Sequence, residues 1–262
     1  YNGYSWDGQH RVYNPVSLMN LFRKRAFRNY WFSTGTPTFL MKYIKKENYT
    51  AFDIEDAYMF TELLDKYDIG EVKLVPLLFQ TGYLTIDKYD TRGRKIYLKY
   101  PNSEVEEAFS LHLLTELSPE HEDKTVNALT YMGFHLESHE IDDFIENLNA
   151  IIGGVPHTLL GTQEKYFHSL FYLVIKMLGY EIQAEVLTSK GRIDAVVETE
   201  NYVYVFEFKV NQSADKALAQ IKEKRYAEKY ATDPRQVTLV GIDFSSEESR
   251  RSEERRVGKE CT

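Results

Sequence analysis

Apolar positions recur at helical spacing in several stretches of this 262-residue chain and alternate in others. Ile54, Ala57, Tyr58, Phe60, Leu63 and Leu64 predict a helix over residues 54–67, and a second is predicted over 72–79. Further helices are expected at 16–25, 103–117 and 141–152, the first of them preceded by the turn signal Asn14-Pro15. Between 82 and 100 the period changes to two, giving strands at 82–86 and 95–100 joined by a turn at 90–94. The last part reads as helix 163–178, strands 180–187, 192–198 and 202–210, helix 213–230 and strand 236–244, a small α/β layer.

Helix, helix and hairpin in that order make a winged-helix-like module of residues 47–117, which the acidic surroundings favour as a packing unit over a DNA reader. Residues 118–156 read as a helical linker that Gly153-Gly-Val-Pro156 breaks, so the final domain is placed at 157–250. A chain of this length is expected to hold about two domains.

Composition narrows the class. Hydrophobic residues are 43% and charged residues 27%, with 20 Tyr and 15 Phe, which places the chain among globular proteins with a sizeable core. A net charge of −8 excludes a chain-wide basic field, so any nucleic-acid contact must rest on local patches. No apolar run approaches the length of a membrane helix and nothing near Tyr1 resembles a signal peptide, so no membrane contact and a cytoplasmic setting are expected. The segment from Arg251 to Cys261 resembles a translated sequencing adapter, so residues 251–262 are expected to be an adapter-derived artefact and are left out of fold reasoning, the alternative being a charged, disordered tail. Setting it aside removes Cys261, the chain's single cysteine, and with it disulfides, cysteine-zinc sites and a thiol nucleophile. No internal repeat or Walker-type phosphate loop occurs, and the histidines are scattered without ligand spacing.

The candidate chemistry lies in Gly191-Arg-Ile-Asp194 and, twelve residues later, Glu207-Phe-Lys209, on two strands joined by the tight turn Thr199-Glu-Asn201. Side chains two apart on a strand share a face, so Glu207 and Lys209 point together and Phe206 and Phe208 point the other way. Val203, Val205 and Val210 beside them predict a central strand, where burying a charge is costly without a partner. Asp194 on the neighbouring strand is expected to approach Glu207, and two converging carboxylates call for a proton or a hard, oxygen-seeking cation such as Mg²⁺ or Mn²⁺. A cation there stabilises charge at an attacked phosphorus, with Lys209 orienting or helping to deprotonate the water. The competing reading makes Glu207 and Lys209 a solvated pair on an edge strand.

Together the Gly-Arg-Ile-Asp turn, the hairpin and the following helix resemble the PD-(D/E)xK nuclease superfamily, most of all the domain at the C-terminus of certain bacterial AAA-ATPase-like proteins. The resemblance covers about residues 163–244 and implies a restriction-endonuclease-like core, a central mixed sheet flanked by helices. It assigns catalysis to Asp194, Glu207 and Lys209, and metal to Asp194, Glu207 and an acidic residue of the first helix, Glu164. Glu164 is equally well explained as a charge favoured by a helix N-terminus. The proline that often leads the motif is missing; Arg192 and Ile193 stand before Asp194. Ala217-Leu-Ala-Gln220-Ile221 through Tyr226 resembles the family's next helix, so Gln220, Tyr226, Arg192 and Lys190 are supporting or nucleic-acid-binding candidates. Lys222, Lys224, Arg225 and Lys229 offer phosphate contacts or simply a solvated face balanced by Glu223 and Glu228.

The opening motifs Tyr1-Asn-Gly-Tyr4, Val12-Tyr-Asn-Pro15 and Tyr30-Trp31 resemble the same proteins, so residues 1–46 look like the tail of an AAA-ATPase-like domain whose phosphate loop lies upstream. The expected function is metal-dependent hydrolysis of a nucleic acid, DNA first. The alternatives are a module of the same fold that binds nucleic acid or protein without cutting, and an ATPase accessory in which residues 74–100 dock on the missing domain.

Overall fold

The computed structural model describes residues 1–31, 38–47, 49–55, 57–63, 73–90, 92, 94–117, 122–152, 164–188, 191–244 and 258–261. The break at 153–156, Gln163 and Lys190 fall outside these. The chain divides into two compact units, Tyr1–Leu113 and Leu114–Thr262.

In the first unit, β1 (Asn2–Tyr4) pairs with β2 (Val12–Tyr13), and α1 (Pro15–Lys24) starts where Asn14 accepts from the backbone N–H groups of Val16 and Ser17. Then come α2 (Thr38–Lys46), α3 (Ala51–Glu55), β3 (Tyr58–Phe60), α4 (Leu74–Gln80), β4 (Thr85–Asp90), β5 (Lys95–Lys99) and α5 (Ser103–Leu117), the last running across the division. The helix expected over 54–67 is not formed in its described part: α3 ends at Glu55, and Tyr58–Phe60 pairs antiparallel with β5, giving sheet order β3-β5-β4. Tyr58 and Phe60, which matched a helical period, are exposed on either side of buried Met59 as a strand places them, and Lys95 of β5 lies 4.2 Å over the Tyr58 ring. Buried Glu104 ties this unit together, its Oε1 accepting from the backbone N–H groups of Tyr30 (2.6 Å) and Trp31 (3.0 Å) and from the Ser17 hydroxyl (3.2 Å).

The second unit opens with α6 (Glu122–Glu137), which the pattern did not reveal, and α7 (Ile141–Ile152). In α6, buried Ala128, Leu129, Met132 and Leu136 keep helical spacing, but exposed Tyr131 and Phe134 and a central Gly133 blur the amphipathic signal. There follow α8 (Glu164–Met177), β6 (Glu181–Thr188), β7 (Gly191–Glu198), β8 (Tyr202–Val210), α9 (Ala214–Lys224), a 3₁₀ turn (Tyr226–Tyr230) and β9 (Gln236–Phe244). The helix expected to run unbroken to Tyr230 ends six residues earlier, because Arg225 turns left-handed (φ 52°) and its N–H closes onto the Ile221 and Lys222 carbonyls.

Among the described residues these strands form one sheet, ordered β10-β9-β8-β7-β6, with β8 central. β6, β7 and β8 run antiparallel, and β8 pairs parallel with β9. Here β10 (Gly258–Cys261) pairs antiparallel with β9. On one face Phe171 of α8 packs 4.7 Å from Phe206 and 4.9 Å from Phe208, and Phe167 stacks 4.4 Å from Phe244. The other face buries Val196, Val203, Val205, Val237 and Leu239 with Leu218, Ile221, Tyr226 and Tyr230. Two helices therefore clamp the middle of the sheet from opposite sides.

No helix among the described residues is long and apolar enough to cross a membrane.

Candidate active site

The β7–β8 ladder runs from Glu198–Val203 to Ala195–Phe206. Asp194 and Glu207 stand one step beyond that last pair, and there the ladder gives way to a side-chain contact. The Phe208 N–H donates to Asp194 Oδ2 at 2.8 Å. Asp194 thus fastens the two strands with its carboxylate, and a carboxylate at the end of a paired stretch is held with little conformational freedom.

Glu207 is 1% exposed on the central strand. This rules out the solvated edge pair. A carboxylate at such depth is costly unless its charge is met, and Lys209 Nζ meets it at 3.1 Å from Oε1 while also donating to the Phe208 carbonyl at 3.0 Å. Gln220, projecting from α9 packed on this face of the sheet, donates through Nε2 to the same Oε1. α9 can come this close because β9 carries Gly241 opposite Glu207. A Cβ there would stand 2.5 Å from the Ala214 carbonyl and 2.9 Å from the Leu218 nitrogen.

The candidate residues are therefore placed as follows. Glu207, Lys209 and Gln220 form one network, and Asp194 reaches the same strand one residue along. Glu164 opens α8 and Arg192 is the second residue of β7, but their side chains lie outside what the structure describes. Tyr226 is 2% exposed and packs in the apolar cluster under α9. Of the basic side chains, Lys222, Arg225 and Lys229 are exposed and Lys224 half-buried.

Two features escaped the sequence. His168 of α8 brings Nε2 to 3.8 Å from Asp194 Oδ2, with its ring 4.7 Å from Phe208. It lies one helical turn after Glu164, a spacing visible in the sequence once that helix is drawn. Separately, the tight turn between α6 and α7 gathers His135, Glu140 and Asp143, whose ligand atoms lie within 4.8 Å of one another, His135 Nδ1 being 2.7 Å from Glu140 Oε2. The histidines are thus not all without ligand spacing. The group could receive a cation, though both its acids are exposed.

With strand order and site in view, the comparisons decide the family. A model of the PD-(D/E)XK nuclease superfamily matches residues 162–254. Residues 162–254 are a PD-(D/E)XK nuclease superfamily domain. The α8-β6-β7-β8-α9-β9 core, with Asp194 on β7 and Glu207 and Lys209 on β8, lies within the matched residues. The chain is also similar to an uncharacterized protein in the vnfD 5′ region of Azotobacter chroococcum mcd 1, 36% identical over 257 residues. That match covers 94% of this chain but 49% of the relative, so the chain spans about half the relative's length. No solved structure matches.

Proposed function

We propose that the PD-(D/E)XK domain hydrolyses phosphodiester bonds of nucleic acid, DNA in the first place, with a divalent cation held by Asp194 and Glu207. The observation that carries this reading is the donor set at the strand fork: a carboxylate 1% exposed, a second acid on the adjoining strand, and an ammonium 3.1 Å from the first. Oxygen donors of this kind fit Mg²⁺ or Mn²⁺, and Glu164 at the head of α8 is a further candidate ligand. When bound, such a cation supplies Lewis-acid stabilisation of the charge that builds on the attacked phosphate. The chain's own groups do the rest. Lys209, steadied by Glu207 and the Phe208 carbonyl, orients the attacking water and assists its deprotonation. Gln220 fixes the Glu207 rotamer, and Lys222, Arg225 and Lys229 of the helix and its 3₁₀ extension, with Arg192 and Lys190, supply phosphate contacts.

A second reading has one observation in its favour. Glu207 Oε1 already accepts from both Lys209 and Gln220, a closed arrangement that also suits a module that binds nucleic acid or protein without cutting. Cleavage of plasmid and single-stranded DNA across a Mg²⁺ and Mn²⁺ titration separates the two. Metal-dependent products that vanish in Asp194→Ala and Lys209→Ala support hydrolysis, and metal binding without products supports the second reading.

For the N-terminal unit we infer a winged-helix-like packing module in 47–117, following a segment that ends an ATPase-like domain. The β3-β5-β4 order supports the former, and a relative about twice as long as the matched stretch supports the latter. Nucleotide binding by the longer protein, absent from the present chain, is the check.

A further inference from the structure

We propose that His168 is a positioning residue of this site, holding the Asp194 carboxylate in the orientation in which it takes a divalent cation. The proposal rests on the reading of Asp194 as a metal-holding residue.

α8 meets the sheet through an almost wholly aromatic seam, with Phe167 on Phe244 and Phe171 on Phe206 and Phe208. Within that seam His168 is the polar member, its side chain 11% exposed. A polar ring in such a seam needs a partner of its own chemistry. Its ring leans on Phe208 at 4.7 Å, which sets its plane, and Nε2 is brought 3.8 Å from Asp194 Oδ2. The same oxygen accepts the Phe208 N–H at 2.8 Å. The Phe208 N–H therefore holds this oxygen by a hydrogen bond, while the His168 nitrogen, from a different element, stands within ion-pair distance of it. A polar partner placed behind a carboxylate biases its rotamer and the direction of its other oxygen, as outer partners of metal-holding groups do in general.

The test is Mn²⁺ binding by the whole chain, read by electron paramagnetic resonance of free and bound Mn²⁺, in a background carrying Glu140→Ala so that the α6–α7 group does not contribute. His168→Phe keeps the ring against Phe208 and removes the nitrogen. His168→Gln keeps an N–H donor and removes the ring. Loss of an outer partner of this kind weakens metal binding by about 10- to 100-fold. The proposal expects that loss in His168→Phe and near-parent affinity in His168→Gln, both variants melting cooperatively. His168→Phe binding as tightly as the parent, or His168→Gln binding as weakly as His168→Phe, overturns it. If instead Asp194→Ala binds Mn²⁺ as the parent does, the metal reading of the site falls, and this inference with it.

Discussion

Glu207 lies 1% exposed on the central strand of the sheet, and its neighbours are those a buried carboxylate needs. Lys209 supplies the opposite charge two residues along the strand, and Gln220 supplies a second donor from the helix packed on the sheet. Removing one partner of a buried ion pair leaves the other uncompensated, at a cost of about 3–5 kcal/mol. Lys209→Met is therefore expected to lower unfolding free energy by about 3 kcal/mol in urea titrations without metal, and the double variant Glu207→Gln/Lys209→Met to recover much of it. If the metal reading is right, added Mg²⁺ raises the melting temperature of Lys209→Met, because a bound cation replaces the lost charge. Unchanged stability in Lys209→Met would show that the pair carries no such burden.

At the scale of elements, Gly241 sets how near α9 lies to β8. A methyl group at that position would stand 2.5 Å from the Ala214 carbonyl. Gly241→Ala is expected to cost about 1–3 kcal/mol as the helix is pushed off the sheet, and to weaken metal binding by withdrawing Gln220 from Glu207. A fully stable Gly241→Ala would contradict this. At the other end of the same strands, Arg235 donates to Glu198 (2.6 Å), to Asp233 (2.7 Å) and to the Thr199 carbonyl (3.2 Å), tying the β7–β8 turn to the start of β9. The Arg235 side chain beside it lowers the Asp233 pKa from 3.8 to about 2. Because the folded value lies below the unfolded one, this contribution is complete above the ordinary carboxylate range and fades as pH falls through about 2. Asp233→Asn should flatten that acid limb in a pH series of thermal melts, while leaving neutral-pH cleavage intact.

The elements also show what the sequence made legible. Strands 202–210 and 236–244 could be bounded to the residue, since runs such as Tyr-Val-Tyr-Val-Phe leave little alternative to a buried strand. Period two and the hairpin spacing placed Asp194, Glu207 and Lys209 on the adjoining strands β7 and β8, where the structure has them. What failed depends on tertiary partners. Tyr58 and Phe60 match a helical period and become a strand because β5 offers them an edge. Arg225 ends a helix without a glycine to announce it. The nearness of His168 to Asp194 is invisible until α8 is docked on Phe208, and the burial of Tyr226 until the 3₁₀ turn forms.

For the whole molecule, the proposed action on DNA would have a chain of net charge −8 meet its substrate against its own overall field. Binding must then rest on a few local cations beside the site, and its salt dependence should be shallow, a slope set by a handful of phosphate contacts. Fluorescence anisotropy with labelled duplex in Ca²⁺ between 50 and 200 mM salt reads that slope, and a steep one, of the size expected for ten contacts, would place the binding surface elsewhere. The central claim is more directly tested by catalysis. Plasmid DNA incubated with the whole chain across a Mg²⁺ titration should be cut in proportion to bound metal, and not at all by Asp194→Ala that melts like the parent. Cutting that survives Asp194→Ala, or that proceeds in a chelator, would contradict the account.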